Sequence, residues 1–196
     1  MSIGAFLGIM VLMFVLELPD KTMVATIVMS TRARPWSIVM GASAGFVVQM
    51  GIAVAAGSAL TLLPAQPKEF VVAALFLGGA AYLLFVPEKV EEREGEREGE
   101  REQFGTRWKE VTTAFSVIFL GEFGDLTQIQ AANLSAKTHQ PFAVFVASSL
   151  AMIAVSFLGA FGGRALQRVV PLRFIRLAGG AVFAVLGLYT LVEALR

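Results

Sequence analysis

Apolar residues along this chain run on in long, nearly uninterrupted stretches. Runs of about 20 residues or more, the length that crosses the hydrocarbon core of a bilayer, fall at roughly 3–30, 36–63, 69–87, 111–135, 141–164 and 171–194. The pattern predicts six membrane-spanning helices. Pro35, Pro64, Pro67, Pro141 and Pro171 lie between the runs or at their starts, where a helix boundary tolerates proline. Small residues inside the runs (Gly41, Ala42 and Gly45; Gly159, Gly162 and Gly163) would let helix backbones pack closely.

Two of the runs are interrupted in a way that lipid does not favour. "FVLELPDKTM" (14–23) places Glu17, Pro19, Asp20 and Lys21 in the middle of the first, and "IFLGEFGDLTQ" (118–128) does much the same in the fourth. On insertion scales each ionisable residue at the bilayer centre costs about 2.5–3.5 kcal/mol, so four unpaired acids represent roughly 10 kcal/mol. Sliding residues 14–30 onto 119–135 pairs Phe14 with Phe119, Glu17 with Glu122, Asp20 with Asp125, Thr22 with Thr127 and Ser30 with Ser135. The polar matches are in register. Each half holds three spans, an odd number, so the second half must insert upside down relative to the first. The expected fold is therefore an all-α membrane protein of six transmembrane helices arranged as two inverted three-helix repeats, an architecture of many secondary transporters, with the site at the midplane. The first repeat covers residues 1–87, a charged linker 88–110, and the second repeat 111–196.

Composition agrees with this. Of 196 residues, 56% are hydrophobic and 16% charged, and the mean hydropathy is +0.71. A soluble domain of this length could not bury so much apolar surface. The net charge of +1 gives no electrostatic case for nucleic acid, and the absence of cysteine removes disulfides, thiolate catalysis and soft-metal sites. The single histidine, His139, reads as an interfacial residue near a helix end. The N-terminal run has no basic leader and no small-residue cleavage site, and it reads as a retained first span.

The linker repeats Arg-Glu-Gly-Glu with a period of four, which brings acid and base within helical reach while glycine weakens the helix. It reads as solvated chain. Basic residues cluster in alternate loops: Arg32 and Arg34 in the first, six Lys or Arg in the linker region, and Arg164, Arg168, Arg173 and Arg176 in the fifth. The other loops hold only Lys68 and Lys137. By the positive-inside rule the linker is cytoplasmic and both termini are outside. The compact chain, without a transit peptide, suggests a bacterial inner membrane.

Glu and Asp three residues apart lie about 60° from one another around a helix. Each repeat thus presents two carboxylates in one direction, and an antiparallel crossing of the first and fourth helices would bring Glu17, Asp20, Glu122 and Asp125 together. Four negative charges in low dielectric are not tolerable; the cluster must hold protons or a metal ion, and their competition for the same oxygens is the physical basis of exchange. Pro19 frees the carbonyl of Val15, and Gly124 permits unwinding at the matching place in the second repeat. A broken helix lets Thr22, Thr127 or the Gln128 amide join the carboxylates. Such an all-oxygen set suits Mn²⁺, Ca²⁺ or Mg²⁺ and does not choose among them. No resident cofactor is implied beyond the transported ion. The competing reading, acids paired with Lys21 and polar neighbours to hold helices together, makes a repeated Glu-x-x-Asp-x-Thr a costly glue.

At these residues the chain resembles the transmembrane protein 165/Gdt family of manganese and calcium transporters, which carries two copies of Glu-x-Gly-Asp-Lys/Arg-Thr/Ser, one in each three-helix repeat. "ELPDKT" (17–22) and "EFGDLT" (122–127) match it, and the resemblance in layout covers nearly the whole chain. Pro19 stands in place of the first glycine and Leu126 in place of the second basic residue, leaving Lys21 as the one base in the motifs. The resemblance implies a cation/proton antiporter, not an enzyme, whose partners are a divalent ion, protons and the bilayer. It also implies Glu17, Asp20, Glu122 and Asp125 as ion ligands, with Thr22, Thr127 and Gln128 assisting. Self-association is compatible with the chain. Alternatives are an exporter of amino acids or other organic cations and, through an Asp20–Asp125 dyad, an intramembrane aspartyl protease.

Overall fold

The computed structural model describes residues 1–18, 21–62, 65–85, 105–123, 125–169 and 172–195, which form eight helices with no strand among them. In chain order these are α1 (Ile3–Glu17), α2 (Lys21–Arg32), α3 (Pro35–Leu60), α4 (Ala65–Phe85), α5 (Arg107–Gly121), α6 (Leu126–Thr138), α7 (Pro141–Val169) and α8 (Leu172–Ala194). The 88–104 stretch of the expected linker lies outside the described residues.

Local chemistry explains the boundaries. Ser2 caps α1 by accepting from the Ala5 N–H at 3.2 Å, and Pro35 occupies the first turn of α3, where its missing N–H costs nothing. Thr106 caps α5 by accepting from the Lys109 N–H at 3.4 Å, so this helix begins four residues before the apolar run that announced it. At the far end of α6, His139 takes the left-handed conformation (φ 54°) that terminates the helix.

The first and fourth runs each fold as two helices. The axes of α1 and α2 differ by 68°, and α5 ends at Gly121 before α6 resumes at Leu126. With 15 and 13 residues, α5 and α6 are each too short to cross a bilayer alone. Among the described residues, α3 and the Pro141–Gly162 part of α7 are long and apolar enough to cross singly, and α1 with α2 makes a third candidate if the bent pair is one span.

The packing of the halves is reciprocal. Helix α3 lies along both α5 and α6, α7 lies along both α1 and α2, α3 packs on α7, and α4 packs on α8. Helices α3 and α7 thus each brace the broken pair of the opposite half. Two glycines make the α3 side of this possible. A Cβ at Gly41 would collide with the carbonyl oxygen of Val111, and one at Gly57 with that of Ala132, so backbone meets backbone at both ends of α3. Next to Gly57 the contact is locked by hydrogen bonds: Ser135 Oγ donates to the Val54 carbonyl at 3.1 Å and lies 3.1 Å from Ser58 Oγ.

Large apolar side chains face outward, and several polar ones are enclosed. Leu7, Val11, Met40, Val48, Ile52 and Leu150 are exposed, whereas Glu17, Gln49, Gln130, Asn133 and Ser148 are fully buried. An apolar exterior with polar groups drawn inside among an apolar core is what a bilayer selects, because only the interior can supply partners for polar groups.

Candidate cation site

The acids sit where the broken helices meet. Glu17 is the last residue of α1 and fully buried. Glu122 is the C-cap of α5 and 1% exposed; its N–H still donates to the Ile118 carbonyl at 3.1 Å, closing the last helical turn. The Asp125 N–H then donates to the Glu122 carbonyl at 3.1 Å, and the Asp125 side chain accepts from the Thr127 N–H at 3.4 Å. Asp125 is therefore the N-cap of α6, a position that favours aspartate because it satisfies an orphan donor. The Thr127 hydroxyl lies 3.5 Å from the same carboxylate.

One carboxylate oxygen from each of Glu17, Glu122 and Asp125 comes within 4.8 Å of the other two. The halves are also joined directly: the Thr22 hydroxyl donates to Glu122 Oε1 across 100 positions of sequence. A threonine at the start of α2 thus reaches the acid of the opposite motif, as a broken helix allows. Gln128 is buried one residue past Thr127. Pro19, Asp20 and Gly124 lie outside the described residues, and Lys21 is placed only as the first residue of α2. The expected convergence of acids from both halves is thus seen for three of the four carboxylates.

One contributor was not anticipated from sequence. Gln49, fully buried at the middle of α3, donates through Nε2 to the carbonyls of Ile118 (3.2 Å) and Phe119 (2.7 Å), in the turn that delivers Glu122. Its Oε1 finds no hydrogen-bond partner among the described residues. The available signal was a lone amide in the otherwise apolar "GFVVQMGIAV" (45–54).

Chemically, this is a buried cluster of carboxylate and hydroxyl oxygens at the junction of helix ends. The C-terminal ends of α1 and α5 bring carbonyl oxygens toward it, which favours a cation, while the N-terminus of α6 steadies Asp125. Three acids at this spacing repel one another unless protons or a cation sit among them. Carboxylate and hydroxyl oxygens with no cysteine in the chain make the donor set hard.

Comparison with known proteins bears on the same residues. A family model described as divalent cation/proton antiporter GDT1 matches residues 5–91 and 110–196, so each matched segment carries one of the two acidic motifs. The chain belongs to this family. GDT1 members are membrane antiporters, which sets aside the protease alternative and identifies a divalent cation and protons as the substrates. Over 192 residues the chain is 26% identical to a GDT1-like protein of Synechocystis, covering 91% of this chain and 92% of that one. It is 32% identical to GDT1-like protein 4 of Arabidopsis thaliana over 75 residues, 38% of this chain and 32% of the plant protein. No solved structure matches.

Proposed function

We propose that this GDT1-family antiporter exports Mn²⁺, with Ca²⁺ as a second substrate, from the cytoplasm in exchange for protons. Glu17, Asp20, Glu122 and Asp125 are the ligands, assisted by Thr22, Thr127 and Gln128. The observation that carries the reading is the meeting of Glu17, Glu122 and Asp125 within 4.8 Å, from opposite halves of the chain. The cluster draws acids from both halves, so relative motion of the halves would make and break the full site.

In this reading, residues 1–87 and 111–196 are inverted three-helix repeats joined by the linker 88–110, six spans in all. Alternating access proceeds by rocking one repeat against the other. The reciprocal bracing of α1–α2 by α7 and of α5–α6 by α3 supports it, since each broken pair is carried by a helix of the other half. Outside protons neutralise the carboxylates and release the cation; the protonated site turns inward, loses its protons and takes up the next ion. Leu126 and the single Lys21 leave the site more acidic than the family pattern.

The chain is placed in a bacterial inner membrane with the linker in the cytoplasm. A cavity of about 430 Å³ near the linker end, lined by Arg34, Arg107, Trp36 and Trp108 among others, supports this orientation. Arginine with tryptophan is the pairing found at the cytoplasmic interface of a bilayer.

The test is transport by purified protein in liposomes. An imposed proton gradient should drive Mn²⁺ against its concentration gradient, with Ca²⁺ competing. If collapsing the gradient leaves Mn²⁺ flux unchanged, antiport is refuted.

A further inference from the structure

Below the acid cluster, α6 is unusually polar for a helix enclosed by protein in a membrane. Thr127, Gln130 and Asn133 stand three residues apart, a row that turns only about 60° at each step along the helix. Thr127 is 3% exposed, and Gln130 and Asn133 are fully buried. All four side-chain amide atoms of Gln130 and Asn133 lack a hydrogen-bond partner among the described residues, as do the hydroxyls of Ser148 and Ser149 on α7, which packs against α6. Buried carboxamides are ordinarily satisfied, and a pair of them left with four open atoms marks a place that water or a passing ion can occupy.

The same positions in the first half are different. The offset that superimposes Glu17 on Glu122 places Ala25 opposite Gln130 and Val28 opposite Asn133. Beyond Thr22, Ser30 Oγ donates within α2 to the Thr26 carbonyl at 2.7 Å, and Thr26 packs against Gly159. The two halves are thus equivalent at the acids and unlike on the way to them. The row on α6 continues to Ala136, which is fully buried in an apolar cluster with Leu16, Val72 and Phe76.

We propose that the Thr127–Gln130–Asn133 side of α6 lines the aqueous route between the acid cluster and the membrane face bearing His139, with Gln130 and Asn133 as carboxamide stations that replace water around a partly dehydrated divalent cation. The route is sealed in this conformer by the cluster around Ala136 and Phe76, and it has no counterpart along α2. The inference rests on the cation reading for the identity of what passes, but the route itself can be tested without transport.

The chain contains no cysteine, so single thiols can be introduced without background. In Asn133→Cys and, separately, Ala25→Cys, the reaction with a membrane-impermeant methanethiosulfonate is timed in sealed vesicles of each orientation. Both positions are fully buried here, so burial alone predicts equal, slow labelling. The expected result is labelling of Asn133→Cys at least tenfold faster than Ala25→Cys, and only from the face bearing His139. A smaller difference, or labelling from the linker face, overturns the proposal. Where Asn133→Cys is not monodisperse, Gln130→Cys is read by the same criterion. Thermal stabilisation of the unaltered protein by Mn²⁺ is measured alongside. If that fails while the labelling difference stands, the cation reading is wrong and the route remains; if it holds while labelling is equal, the route is wrong and the cation reading remains.

Discussion

Replacing Glu122 by glutamine keeps the size of the side chain and an oxygen for the Thr22 hydroxyl, while removing one charge from the cluster. The carboxylate oxygens of Glu17, Glu122 and Asp125 lie within 4.8 Å of one another. At an effective dielectric of about 20, two charges at that separation repel by about 3.5 kcal/mol, so Glu122→Gln relieves two such repulsions, about 7 kcal/mol gross. Against a divalent ion at about 2.2 Å the same charge contributes about 15 kcal/mol gross on the same scale. The acid–acid repulsion is present with and without the ion and drops out of the binding difference; the lost attraction disfavours binding, and even about a fifth of it, about 3 kcal/mol, is more than a hundredfold in Kd. Two effects of opposite sign follow. Without metal, Glu122→Gln should unfold at a higher temperature than the unaltered protein, with about 2–4 °C gained for each kcal/mol of repulsion relieved. With millimolar Mn²⁺ the order should reverse, because only the unaltered protein is stabilised by its ligand. Thermal unfolding in detergent across a Mn²⁺ series reads both. If Mn²⁺ raises the unfolding temperature of Glu122→Gln as much as that of the parent, Glu122 is not a ligand and the reasoning fails.

Two further outcomes are expected. Acidification should weaken Mn²⁺ binding, since protons and the ion compete for the same carboxylates; the logarithm of Kd measured by titration calorimetry should rise by at least about one for each pH unit lost across the coupled range, and a flat profile would argue against proton exchange at this site. Gly57→Val should lose most of its folded, monodisperse yield by size-exclusion chromatography, because its Cβ would strike the Ala132 carbonyl in a backbone contact that cannot yield. Gly78→Val, where a Cβ meets nothing within 4 Å, should behave as the parent does.

Much of the site was legible because its chemistry is expensive. Four acids in apolar runs are too costly to be accidents of composition, and their recurrence at one offset with Thr22 and Thr127 in register points to a paired site. The breaks were legible too, since proline and glycine beside a charge are local signals that act on their own helix. Gln49 was not, because an amide in a helix interior says nothing about which partner it will find. Its role exists only where α3 crosses the end of α5. The start of α5 was also missed: apolarity marks the span, whereas Thr106 caps the helix in the polar segment before it.

By itself, then, the sequence determined the helical class, the membrane as solvent, the doubled acidic motif and the positions where helices give way. These follow from the one-dimensional cost of exposing charge and backbone to lipid. Tertiary structure decided which helices touch, and through them the site. It set α3 against α5 and α6 through Gly41 and Gly57, joined Thr22 to Glu122, and enclosed Gln130 and Asn133 of α6 where their amides have no hydrogen-bond partner among the described residues. Such contacts depend on close approach of segments 70 to 100 residues apart, and no local preference encodes them.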